Sequence, residues 1–78
     1  MAPAPIRRAN YKRMLERLRS ARKEAGLTQA EVAKRLGKPQ SYVSKCELGE
    51  RRIDPLELAA FAKVYGRSVA WFVGEEEC

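Results

Sequence analysis

Apolar residues along this 78-residue chain recur at three- and four-residue steps, not alternately. That spacing predicts helices and no strand. From about Asn10, Tyr11, Met14, Leu15, Leu18, Ala21 and Ala25 form one apolar stripe. Lys12, Arg13, Glu16, Arg17, Arg19 and Lys23 cover the other faces, and Gly26 is placed to end the helix. Thr28-Gln29-Ala30-Glu31 then reads as a capping box, with Leu27 and Val32 set for a hydrophobic staple around it. The second helix turns Val32, Ala33 and Leu36 inward and stops at Gly37. Pro39 suits the first position of a third helix, where its missing amide costs nothing. Val43 and Cys46 give that helix an inward pair, Leu48 lies just beyond, and Gly49 ends it. Asp54-Pro55-Leu56-Glu57 repeats the capping signal. In the fourth helix Leu56, Ala59, Ala60, Lys63 and Val64 lie at helical spacing, and Leu58, Phe61, Ala62 and Tyr65 add apolar bulk. A helix apolar over most of its circumference is expected to be the most buried. Gly66 ends it, and Ser68 is placed to cap a last short helix over residues 69–73.

Composition narrows the class. At 45% hydrophobic and 33% charged residues, the chain is too apolar for a disordered tail. Its longest apolar run, residues 58–62, falls far short of the roughly 20 residues of a spanning helix. No membrane partner is expected. The absence of histidine removes Ser-His-Asp and Cys-His nucleophilic sites and imidazole zinc sites. Cys46 and Cys78 are too far apart for a C-x-x-C pair. Neither a metal nor another cofactor is expected, nor any catalytic residue. Cys46 reads as a small core residue and Cys78 as a free thiol. The opening Met1-Ala2-Pro3-Ala4-Pro5 lacks the apolar stretch of a signal peptide, so a cytoplasmic, reducing setting is expected.

Charge adds a direction. Sixteen Lys and Arg against ten Asp and Glu give a net +6. Residues 1–53 carry net +9 and residues 54–78 net −3. One basic end suggests a polyanion docking on one side. Residues 1–9 read as a flexible basic arm, 10–74 as the folded domain and 75–78 as an acidic tail.

The second and third helices are short and closely joined, which is the form of a helix-turn-helix. Beyond its inward pair the third helix offers Gln40, Ser41, Tyr42, Ser44 and Lys45. These are amides, hydroxyls and one ammonium, not the Glu/Lys mixture of an ordinary solvated helix. Double-stranded DNA is therefore the expected partner. Gln40 and Ser41 open the helix and are suited to base edges: a Gln amide can pair with adenine N6/N7, and a Ser hydroxyl with any base. Ser44 and Lys45 follow one turn on, Lys45 facing guanine O6/N7 or a phosphate. Tyr42 suits a backbone oxygen or thymine methyl, or simple packing beside the turn.

The ordered segments Leu27-Thr28-Gln29-Ala30-Glu31-Val32-Ala33, Gln40 to Arg52 and Ser68-Val69-Ala70-Trp71-Phe72 resemble the lambda-repressor-like (Cro/Xre-type) helix-turn-helix family. The likeness runs from about Tyr11 to Val73. It implies an all-α, compact five-helix bundle and a transcriptional regulator, in the first instance a repressor, binding a palindromic operator as a homodimer. It implies backbone contacts from Gln29, Arg51 and Arg52, with Gln29 also bracing the first recognition-helix residue. Lys38 in the turn can do the same, and Thr28 joins them unless its cap accounts for it fully. It aligns Arg22 with Glu47 as a pair joining the first helix to the third, Arg22 keeping a donor for phosphate. It places Trp71 in the core. Phe72 and Val73, with part of the fourth helix, become the candidate dimer contact, or merely the cap of the bundle. An antitoxin or adaptor built on the same fold is the alternative function. A chain this short leaves no room for a ligand-sensing domain, so no small-molecule effector is expected. The expected location is the cytoplasm, on the nucleoid.

Overall fold

A computed structural model describes residues 8–74. It consists of five helices: α1 Arg8–Glu24, α2 Gln29–Leu36, α3 Gln40–Leu48, α4 Pro55–Tyr65 and α5 Val69–Val73. Helix α1 starts at Arg8, so Arg8 and Ala9 belong to it and not to an arm. The remainder of the expected arm and the expected acidic tail, Cys78 included, lie outside the described residues.

The starts and stops follow local chemistry. Thr28 Oγ1 accepts from the Glu31 amide at 3.1 Å, and Glu31 Oε1 accepts from the Thr28 amide at 2.8 Å. Asp54 and Glu57 make the same reciprocal pair at 2.7 and 3.0 Å. Ser68 Oγ accepts from the Trp71 amide at 3.1 Å. Each box satisfies donors that a helix start leaves open. Pro39 departs from expectation: it is the N-cap, at φ −71° and ψ 156°, and Gln40 is the first helical residue. Its ring fixes φ near a value that helix and extended chain share, so ψ decides, and ψ here is extended. At the far end of α3, Gly49 takes φ +82°, a region that L side chains rarely adopt.

Helix α1 packs against α3, α4 and α5, while α2 packs on α3 and α4. The core they enclose is Met14, Leu15, Leu18, Ala21, Val32, Ala33, Val43, Cys46, Leu58, Phe61, Ala62, Tyr65 and Phe72. Cys46 is fully buried, as its spacing predicts.

Two expectations about the C-terminal half are corrected. In α4 the buried line is Leu58, Phe61, Ala62 and Tyr65, whereas Leu56, Ala59, Ala60 and Lys63 are exposed. Two apolar lines competed for the interior, and the one with two aromatic rings removes more area from water. In α5 the roles of two neighbours are exchanged. Phe72, expected at a dimer contact, is fully buried, and Trp71, expected in the core, is half-buried. Phe72 meets Tyr65 at 6.4 Å between ring centroids. The Trp71 ring stands edge-on to Phe72 at 5.0 Å, with Arg67 over it at 4.1 Å and Arg17 at 5.4 Å. Its carbonyl accepts from Arg17 Nη1.

Candidate nucleic-acid interface

On α3 the side chains divide by helical position. Val43, Cys46 and Glu47 point into the bundle. Gln40, Ser41, Lys45 and Leu48 are exposed and Ser44 is half-buried; 41, 44, 45 and 48 stand at steps of three and four on one outward face. The four expected base-reading residues are therefore brought together. Proline supplies no side-chain cap, so the first amides of α3 are left uncovered by any capping side chain.

The back of α3 is held by a carboxylate. Glu47 is only 3% exposed. Arg22 of α1 donates to it twice, Nε to Oε2 at 2.7 Å and Nη2 to Oε1 at 3.2 Å. The third nitrogen of Arg22, Nη1, donates to the Leu27 carbonyl at 3.1 Å. The expected Arg22–Glu47 pair is present and bidentate. Gln29 Nε2 donates to Glu47 Oε1 at 2.9 Å. Gln29 thus braces the last turn of α3 through Glu47, and makes no hydrogen bond to Gln40 as the family likeness implied. The reason is geometric: a buried carboxylate needs donors, and the first residue of α2 lies within reach of it. The three groups lock α1, α2 and α3 behind the outward face.

A second cluster surrounds Tyr42. Its ring stacks on Phe61, 6.1 Å between centroids and 2° from parallel. Arg51 stands over it at 4.9 Å and Lys38 at 5.3 Å. Both cations lie close enough to be attracted by the ring's negative face. Arg51 Nη2 also donates to Glu57 Oε2 at 2.6 Å. Burial, followed by the neighbouring Cys46 and Glu57, pushes the Tyr42 phenol up to about 12. The Asp54 amide holds the Glu57 carboxyl below its ordinary value. Tyr42 is thus packed beside the turn, and Arg51 is already committed to an internal partner. Arg52 goes elsewhere: its guanidinium lies 5.4 Å from the Tyr11 ring on α1, and Tyr11 Oη accepts from the Ile53 amide at 3.1 Å. Thr28 is exposed, and its hydroxyl accepts from the Glu31 amide and lies 3.3 Å from the Glu31 carboxylate. Phe72 is absent from any surface, and Val73 is 46% exposed.

Sequence reasoning missed Leu48. Sequence spacing sets it just beyond the inward pair and gives it no role, yet it is 61% exposed on the outward face. The signal was its place seven residues after Ser41 and four after Ser44. It also passed over Lys12, Arg19 and Lys23, exposed cations on the length of α1 that carries Arg22.

A short helix pair with a polar outward face, locked to a bundle by a buried carboxylate, defines a helix-turn-helix domain. The helix-turn-helix family model matches residues 18–72. A solved structure described as an XRE-family like protein from Pseudomonas syringae pv. tomato str. DC3000 is 43% identical, with a TM-score of 0.80. The match covers 86% of this chain and 82% of that one. No curated protein matches. The chain belongs to the Xre (Cro/C1-type) helix-turn-helix family of DNA-binding regulators. No helix among the described residues is long and apolar enough to cross a membrane.

Proposed function

We propose that this protein is a transcriptional repressor that binds a palindromic operator as a homodimer. The observation that carries the reading is the outward face of α3, with Gln40, Ser41, Ser44 and Lys45 together and Glu47 locked behind them. Helix α3 enters the major groove with its N-terminus leading. Gln40 and Ser41 meet the first base edges, and Lys45 reaches guanine or a phosphate. Gln29 and Lys38 flank that entry, and Arg22 turns its remaining N–H groups to the backbone. Tyr42, Arg51 and Arg52 border the groove, with Arg51 contributing field more than a free hand, because Glu57 already holds it. Repression follows by occlusion, since a protein seated on promoter DNA excludes polymerase from it.

The dimer reading moves from Phe72 to its exposed neighbours. Leu56 is 82% exposed, and Val69 and Val73 are exposed too. Beside them lies a groove of about 500 Å³ lined by Tyr11, Met14, Ile53, Leu58, Val69 and Val73. Exposed aliphatic side chains on α4 and α5 suit an isologous contact, which sets two recognition helices about 34–36 Å apart. Asp54 and Glu57 balance Lys63 and Arg67 over residues 54–74, so the C-terminal helices add little attraction for phosphate. The bundle from α1 to α5 forms the working domain, acting on the nucleoid without a small-molecule effector.

The test is selection of bound duplexes from a random pool, followed by a salt series and sedimentation. The expected result is an enriched palindrome, a two-chain complex and a slope of about −0.9 per neutralised phosphate. No enrichment with a flat salt response would reject DNA reading. Transcription from a promoter overlapping the selected site is expected to fall on adding protein; a rise would reject repression.

A further inference from the structure

The geometry points to Leu48 as an apolar reading position that recognises the C5 methyl of a pyrimidine, thymine in unmodified DNA. The inference rests on the reading that α3 lies in the major groove. Leu48 is 61% exposed and shares its face with Ser41, Ser44 and Lys45. The rest of that face consists of amide, hydroxyl and ammonium groups. Its inward counterparts, Val43 and Cys46, are fully buried, so the core takes what it needs from α3 without Leu48.

When that face is covered by DNA, Leu48 is covered as well. It lies eight residues from Gln40, about 12 Å along the helix axis. A helix lying lengthwise in the groove keeps Leu48 on the same side as Ser41 and Lys45, toward the base edges. Phosphate and sugar offer a leucine little, and a phosphate loses hydration against it. Among the groups that base pairs present in the groove, the apolar one is the thymine methyl. A leucine at this place therefore converts one thymine from a tolerated base into a preferred one. Glu47, the preceding residue, is fixed by Arg22 and Gln29, so the last turn of α3 is held rigidly enough for one methyl to matter.

The test starts from the duplex selected with the wild-type protein. Each thymine in turn is replaced by deoxyuridine, which removes only the methyl. Kd is measured for the wild type, Leu48→Ala and Leu48→Gln. Wild type is expected to lose about 3–10-fold at one thymine in each half-site, the scale of one to two buried methyl groups. The variants are expected to lose less than about twofold at that same position. Losses that are equal in wild type and variants at every thymine overturn the inference, as does a selected site whose affinity is indifferent to all thymine methyls. Circular dichroism checks that the variants fold, and with two substitutions one suffices. A selection that enriches nothing rejects the DNA reading itself, a different result from an enriched site without a Leu48-dependent methyl.

Discussion

Helices α3 and α5 are both short, both lie on α1, and are attached to it in opposite ways. Helix α3 is held by a buried carboxylate with three donors from two other helices. Helix α5 is held by Phe72 in the core and by Trp71 between two guanidinium groups. Hydrogen bonds to a carboxylate are directional and fix rotation as well as position. Ring packing is attractive over a wider range of geometry. The difference matches what each helix has to do. A helix that presents side chains to base edges needs its rotation fixed, whereas one that closes a core and offers a few valines does not.

The largest expected effect breaks the first attachment. Glu47→Ala leaves Arg22 without its partner in a site where Arg22 is itself only 13% exposed. Removing one member of a buried pair costs about 3–5 kcal/mol. Urea denaturation is expected to show most of the fold's stability gone. Glu47→Gln keeps an acceptor for Arg22 and is expected to cost less, while still weakening DNA binding. If Glu47→Ala leaves both stability and DNA affinity intact, the carboxylate is not what holds α3.

The matching variant on the other side is Phe72→Ala, expected to cost about 3–5 kcal/mol, the range for a large buried ring. Its neighbour separates folding from assembly. Val73→Asp changes an exposed position, so unfolding of the isolated chain is expected to shift by less than about 0.5 kcal/mol. Sedimentation is expected to show the dimer lost. Equal destabilisation by Phe72→Ala and Val73→Asp would contradict the burial difference between them.

The same two helices show how far the fold was legible. Three of the five helices could be read from the chemistry of their starts, Thr28 with Glu31, Asp54 with Glu57, and Ser68, and the other two from apolar spacing and the glycines that end them. The Arg22–Glu47 pair came through the family likeness, since residues 25 apart in sequence give no local sign of contact. What could not be read was rotation. In α4 two apolar lines were available, and in α5 two adjacent aromatic residues. A single turn has too little periodicity to say which faces in. Leu48, the last residue of a nine-residue helix, is left without a face for the same reason. The role of Gln29 was hidden differently: its partner is chosen by the unmet acceptor capacity of a carboxylate, which exists only once the chain has folded.

The smallest change concerns a group near both attachments. Tyr65 packs its ring against Phe61 and Phe72, and its buried hydroxyl has no hydrogen-bond partner. Burial, and after it the charge of Glu47, hold its phenol above the ordinary value of 10.0. Tyr65→Phe removes a polar atom that folding desolvates without compensation, so the fold is expected to gain about 0.5–1 kcal/mol at neutral pH. The pH dependence follows from the sign of the shift. A phenol whose value is raised on folding adds no pH-dependent loss below pH 10, where it is neutral in both states. As pH rises past 10 the unfolded chain ionises first and stability falls. Phenylalanine cannot ionise, so the advantage of Tyr65→Phe over wild type is expected to widen above pH 10. Tyr42 is raised in the same direction and is present in both proteins, so it cancels from the difference. A constant difference in urea midpoint between pH 7 and pH 11 would show that the Tyr65 hydroxyl is reached by solvent and does not sit dry beside the carboxylate that holds α3.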